Sequence, residues 1–203
     1  MLKELGANVQ LVAVSKTKPV EEILALYEEG QRDFGENYVQ ELVDKQQQLP
    51  ADIRWHFIGH LQSNKVRYIL PFVYLIHGVD SLKLLKEINK QADKTGRVVD
   101  VLLQVHIARE ETKFGLDVAE VAAVMQASPA MGAVRVRGLM GMASNTEDRE
   151  AVRAEFRALK EQLDRWFPQG GILSMGMSGD YRIAIEEGSN MVRIGSLLFG
   201  ARG

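Results

Sequence analysis

The amino-acid sequence predicts an α/β chain folded as a single (β/α)8 TIM barrel, and three observations carry that prediction. Short β-branched runs alternate with longer segments of helical period from one end of the chain to the other, the pattern of stacked βα units. Eight such runs fit into 203 residues, tight but compatible with the smallest barrels of this type. Polar and glycine-rich strings recur just after the runs, where a parallel barrel gathers its βα loops. An open doubly wound sheet is the competing architecture.

The first strand falls at 9–15. After Pro19 comes an amphipathic helix with Ile23, Leu24, Ala25 and Leu26 inside and Glu21, Glu22, Glu28 and Glu29 outside; its acidic start and Gly30 stop are helix punctuation. Further strands are expected near 32–34, 53–57, 73–77, 98–106, 134–140, 172–175 and 191–194. Helices are expected around 39–48, 64–70, 81–95, 117–127, 148–166 and 181–187, with a short helical tail after Gly195. No Pro/Gly/Ser-rich linker, low-complexity tract or composition shift interrupts the rhythm, so residues 1–203 read as one domain.

Composition narrows the function classes. Hydrophobic residues make up 46% and charged residues 26%, which excludes a mainly disordered chain. The net charge of −2 supplies no global field for nucleic acid or an anionic membrane. With no cysteine, disulfide frameworks, thiolate metal sites and cysteine nucleophiles are all removed. The longest strongly apolar stretch, 68–76, has nine residues and contains Pro71, whereas a membrane helix needs about 20. Lys3, Glu4 and the short apolar run from Val9 do not make a secretory signal, and a cytoplasmic location is expected.

Chemistry is then sought in the loops after the strands. Lys16 ends an apolar strand, so its stem is anchored in the wall while its amine reaches the mouth. Partial desolvation there disfavours the ammonium and favours an amine able to condense with an aldehyde; snorkelling to solvent is the ordinary alternative. Lys18, before Pro19, reads as solvated. Ser178-Gly179 after strand seven and Gly195-Ser196 after strand eight can bring backbone N–H groups close to an anion, a recurrent phosphate arrangement of this barrel. The same glycines also serve tight turns. Arg193 lies inside the eighth strand, where a permanent charge needs a specific partner, either a ligand atom or a structural ion pair.

His56, His60, His77 and His106 all fall on or just after strands three to five, but their spacing does not suit a metal centre. They read as hydrogen-bonded structural histidines, with His60 the one facing the mouth. Asn37 either meets a ligand or caps the next helix. Lys113 with Gly115 reads as a solvated loop charge. Met140, Met142, Met175 and Met177 read as core filler.

The strings AVSKTKP (13–19), FGENYVQE (34–41), WHFIGHLQSNK (55–65), GLMGMAS (138–144), LSMGMSGDY (173–181) and MVRIGSLLFG (191–200) resemble those of the pyridoxal-phosphate homeostasis protein family, relatives of the alanine racemase N-terminal barrel domain. The resemblance covers nearly the whole chain. It implies that Lys16 forms an aldimine with pyridoxal 5'-phosphate, that Ser178, Gly195 and Ser196 hold the phosphate, and that Arg193 faces the pyridine nitrogen. Asn37 and His60 fall in strings typical of the family and are placed near the cofactor.

A guanidinium beside the ring nitrogen disfavours its protonation and weakens the ring as an electron sink. Racemisation would further need a second acid/base opposite the lysine, supplied in alanine racemase by another domain. With the chain ending at Gly203, such a domain is not expected. The resemblance therefore implies a cytoplasmic, monomeric carrier or buffer of pyridoxal phosphate without robust turnover. Its possible partners are pyridoxal phosphate-dependent apoenzymes, and nucleic acid and membrane are not among them. An amino-acid racemase is the alternative. Family members usually carry a longer N-terminal helical segment, so a shortened or missing flanking helix is expected here.

Overall fold

The computed structural model describes residues 5–6, 8–110 and 114–200. Eight parallel strands close in sequence order into a barrel, β8 pairing with β1. The strands are β1 (Gln10–Val14), β2 (Asp33–Glu36), β3 (Arg54–Phe57), β4 (Leu75–Val79), β5 (Val99–Gln104), β6 (Val134–Met140), β7 (Ile172–Ser174) and β8 (Met191–Ile194). Helices α1 (Val20–Glu28), α2 (Val39–Gln48), α3 (Val66–Ile69), α4 (Leu82–Lys94), α5 (Val118–Ala127), α6 (Arg149–Trp166), α7 (Tyr181–Glu186) and α8 (Ser196–Phe199) follow their strands in turn. The open-sheet alternative is thereby excluded. Lys113 lies outside the described residues.

Strand alternation divides the core into two shells. Val12, Leu75, Leu102, Met140 and Met191 pack inside the barrel. Residues of opposite parity, among them Phe34, Phe57, Ile76 and Leu103, pack outward against the apolar faces of the helices, represented by Leu42, Leu85, Ile88, Phe156 and Leu159. Burying one such side chain stabilises the fold by about 1.5 to 3 kcal/mol. The caps match the helices they start. Ser81 accepts from Leu84 N–H at the head of α4, and Asp117 and Glu120 form a reciprocal capping box on α5.

Local boundaries differ from the sequence expectation where a turn competes with the ladder. The amide of Val73 bonds to Ile69 O at 2.8 Å, which ties it to the turn after α3, so the fourth strand starts at Leu75 rather than at 73. The expected helix at 64–70 divides into a 3-10 turn, Ser63–Lys65, and the short α3. In α1, Ile23 is the buried residue; Ala25 points to solvent. No helix among the described residues is long and apolar enough to cross a membrane.

Candidate functional site

Lys16 sits one residue past Ser15, where β1 leaves the barrel wall, in a turn fixed from both flanks. Ser15 is fully buried; its N–H donates to Gly35 O at 3.0 Å and its hydroxyl to Glu36 Oε1 at 2.6 Å. Thr17, on the other side, adopts a left-handed backbone with φ 63°. That conformation crowds a β-branched side chain. Its N–H donates to Glu41 Oε1 at 2.6 Å, and the Lys18 N–H returns to Ser15 O at 3.0 Å to close the turn. Lys45, on α2, donates to Ser15 O, Glu36 Oε1 and Glu41 Oε1 at 2.7, 2.7 and 2.6 Å, tying both carboxylates to the turn.

The turn opens on a cavity of about 310 Å³ at the C-terminal face of the barrel. Lys16, Asn37, Ser178, Arg193, Gly195 and Ser196 all line it, so six of the seven sequence-predicted residues converge from four separate βα loops and one strand. Val14, Ile58, Met142, Met177 and Phe199 supply an apolar wall. Met142 and Met177 are thus cavity lining rather than core, unlike the buried Met140 and Met175. Lys18 also departs from expectation: it lines the cavity, donates to Phe199 O at 2.9 Å and pairs with Glu22 at 3.5 Å.

The small-residue loops meet as expected, with Gly195 N–H directed at Ser178 Oγ at 3.3 Å. Helix α8 behind them has only four residues. So short a helix offers hydroxyls and individual N–H groups of its first turn rather than a macrodipole. Asn37 does not cap α2, whose N-cap is Tyr38; its side-chain oxygen is buried with no hydrogen-bond partner. The loop after β3 presses on this residue: a Cβ on Gly59 would collide with the Asn37 backbone.

Arg193 is only 4% exposed. Its guanidinium donates to Ser174 O at 2.8 Å, Ser174 Oγ at 2.6 Å and Gly141 O at 3.1 Å. Burial lowers its pKa to about 10, against the opposing field of Asp180, so it remains a cation at neutral pH. Among the described residues it forms no ion pair; its hydrogen bonds run to neutral oxygens.

His60 stands apart from this cavity. It lies in a neighbouring hollow that Asn37 also lines, with Nδ1 3.0 Å from Asp80 and its ring stacked on Phe114 at 4.3 Å. The other three histidines are hydrogen-bonded as expected: His56 and His77 to each other at 2.9 Å, His106 to Glu110 O at 2.9 Å. Sequence reasoning missed Glu36, Glu41 and Lys45, which the Ser15–Thr17 turn depends on. The available signal was the string FGENYVQE itself, which places a carboxylate at the end of β2 and another in the first turn of α2.

The family described as alanine racemase, N-terminal domain, matches residues 1–203, the whole of the closed barrel described above. A protein of Vibrio alginolyticus named pyridoxal phosphate homeostasis protein is 44% identical over 203 residues, spanning 96% of this chain and 87% of its own length. The chain belongs to the pyridoxal phosphate homeostasis protein family. Among solved structures, PipY of Synechococcus elongatus, with PLP bound, superposes with a TM-score of 0.90 at 36% identity, covering 98% of this chain and 96% of PipY. An alanine racemase of Clostridium difficile shares the fold alone, with a TM-score of 0.77 at 15% identity over 99% of this chain and 55% of the racemase.

Proposed function

We propose that the chain binds pyridoxal 5'-phosphate as a Schiff base on Lys16 and serves intracellular vitamin B6 and amino-acid homeostasis without robust turnover. The observation that carries this reading is the convergence of Lys16, Arg193, Ser178, Gly195 and Ser196 on one cavity. The residues present fit the cofactor. An amine stands at the rim, hydroxyl and backbone N–H donors of two small-residue loops suit a phosphate, and the orphaned Asn37 oxygen awaits a polar partner. Bound there, the cofactor supplies an aldehyde and an electron-accepting ring.

Lys16 would supply the amine that condenses with the aldehyde, with loss of one water. Ser178, Gly195 and Ser196 would hold the phosphate, and Arg193 would serve the ring nitrogen. The Arg193 cation, retained at neutral pH, would disfavour a proton on that nitrogen and so weaken the electron sink. Among the described residues lining the cavity there is no carboxylate, imidazole or phenol to act opposite the lysine, and Lys18 is tied to Phe199 O and Glu22. These features favour a carrier over an amino-acid racemase. His60 has a rim role beside Asn37 in this reading. The carrier is a cytoplasmic monomer, delivering cofactor to pyridoxal phosphate-dependent apoenzymes.

Mixing protein with pyridoxal phosphate should give the imine absorption band, and borohydride should fix the cofactor on Lys16, located by peptide mass mapping. An equally stable imine in Lys16→Ala would remove the central assignment. Deuterium exchange at Cα of alanine and other amino acids at catalytic rates would instead establish the racemase.

A further inference from the structure

The barrel interior holds a buried polar chain that the cofactor contacts do not use. Asp33 opens β2 and receives two hydrogen bonds from Arg54, at 2.8 and 2.5 Å, at the N-terminal end of the barrel. His56 Nε2 lies 3.0 Å from Asp33 Oδ1, and His56 Nδ1 lies 2.9 Å from His77 Nε2. His77 Nδ1 lies 3.0 Å from Ser174 Oγ, the atom to which Arg193 donates at 2.6 Å. Residues of β2, β3, β4, β7 and β8 therefore form one unbroken path from the closed end of the barrel to the cavity. Asp33, His56, His77, Ser174 and Arg193 are all buried.

The two ends fix the direction of every link between them. A guanidinium only donates, so Ser174 Oγ accepts from Arg193 and its own proton is available to His77 Nδ1. At the far end burial would raise the pKa of Asp33, but hydrogen bonds from Arg54 and His56 outweigh it and hold the carboxyl at about 2. Asp33 therefore only accepts, and His56 must carry its proton on Nε2. A neutral His56 then accepts at Nδ1 from His77 Nε2–H. Both rings are neutral Nε2–H tautomers, in keeping with burial, which lowers both pKa values. Reversing the path requires an imidazolium at His56, a charge that burial opposes.

We propose that Asp33, His56, His77 and Ser174 form a one-directional hydrogen-bond relay that positions Arg193 for the cofactor ring nitrogen, making these four buried groups positioning residues of the site. The relay cannot conduct protons to the ring, because its mouth end is a donor that does not release one at neutral pH. Its work is orientation: the Ser174 hydroxyl is obliged to turn a lone pair toward Arg193 because its proton is taken by His77. The proposal rests on the assignment of Arg193 to the pyridoxal phosphate ring.

Long-range proton–nitrogen spectra of the histidine-labelled protein at pH 7.5, without added cofactor, test the relay directly. His56 and His77 should both give neutral Nε2–H patterns; an imidazolium at His56 or an Nδ1–H tautomer at His77 overturns it. A second readout uses Ser174→Ala loaded with pyridoxal phosphate. Loss of the acceptor should shift the absorption maximum and weaken cofactor retention by roughly tenfold or more, the scale of a hydrogen bond to a charged group. Borohydride labelling of Lys16 should persist. An unchanged spectrum and affinity in a folded Ser174→Ala protein also overturns the proposal. If Lys16 labelling fails in the unmodified protein while the tautomers are as stated, the cofactor reading is lost but the hydrogen-bond path stands.

Discussion

Lys45 Nζ lies 2.7 Å from Glu36 Oε1 in a site where the Glu36 side chain is fully buried and that of Lys45 is 7% exposed. Burial pushes the Glu36 carboxyl up, opposed by hydrogen bonds from Lys45 and Ser15, and its Oε2 atom has no partner. A buried pair of this kind contributes little net stability compared with apolar residues, yet removing one partner is costly. Its value here is placement, because Lys45 also holds Ser15 O and Glu41, the two anchors on either side of Lys16.

Lys45→Met should therefore destabilise the fold by about 3 kcal/mol, leaving a buried carboxylate uncompensated. Adding Glu36→Gln should recover at least about 1 kcal/mol of that loss, since the two residues are in contact and their effects are not additive. Urea unfolding of the two single variants and the double variant measures the coupling. Strict additivity would mean that the pair does not act as a unit.

Thr17→Gly separates stability from site geometry. Glycine relieves the left-handed backbone at φ 63°, worth about 1 kcal/mol. It also removes the stiffness of the turn that presents Lys16. Thermal unfolding should show an unchanged or higher midpoint, while stopped-flow absorbance should show slower imine formation with pyridoxal phosphate. A lower midpoint would mean that the threonine side chain stabilises the turn by contacts that outweigh its strain.

Acid should weaken the fold in two stages. His56 and His77 have folded-state pKa values lowered by burial, so the unfolded chain binds more protons below its ordinary histidine value of about 6.5. Their contribution is fully present above that pH and is lost as pH falls toward the depressed values. The slope is at most about 1.4 kcal/mol per pH unit for each ring. Asp33 adds the second stage, present above its unfolded value of about 3.9 and lost as pH falls through about 2. Glu36 acts with the opposite sign just above the ordinary carboxylate range. Urea midpoints between pH 8 and 5 should fall, and His77→Phe should flatten that fall if it folds. A midpoint constant down to pH 5 in the unmodified protein would contradict the burial of two neutral rings.

The eight strands were legible because each is a short apolar run ending in a polar or glycine-rich string, and the barrel places those strings on one face. Lys16, Arg193 and the Ser178 and Gly195 loops were legible for the same reason: they are polar or small residues at the ends of apolar strands. The relay was not. Asp33, His56, His77 and Ser174 each look like a single polar residue on a separate strand, and only closure of the barrel brings β7 against β4 through its interior. His60 is placed differently from the sequence expectation. It follows a strand in a family-like string, yet its pairing with Asp80 and stacking on Phe114 turn it into a neighbouring hollow.

The loops proposed to hold the phosphate give the most selective test of the cofactor reading. Ser178 offers a hydroxyl into the cavity, and Gly195 and Ser196 bring backbone donors beside it. Lys16 follows β1, whereas Ser178 follows β7 and Gly195 and Ser196 follow β8, so capture of the aldehyde and recognition of the phosphate rest on different loops and are separable. Ser178→Ala should leave borohydride labelling of Lys16 by pyridoxal, which lacks the phosphate, unchanged. It should weaken retention of pyridoxal phosphate about tenfold, the scale of one hydrogen bond to a charged group. Competition between the two compounds for Lys16, read by mass spectrometry of the reduced protein, measures the ratio directly. Equal losses for both would place Ser178 in the general shape of the cavity, and an unchanged preference would move the phosphate to other donors.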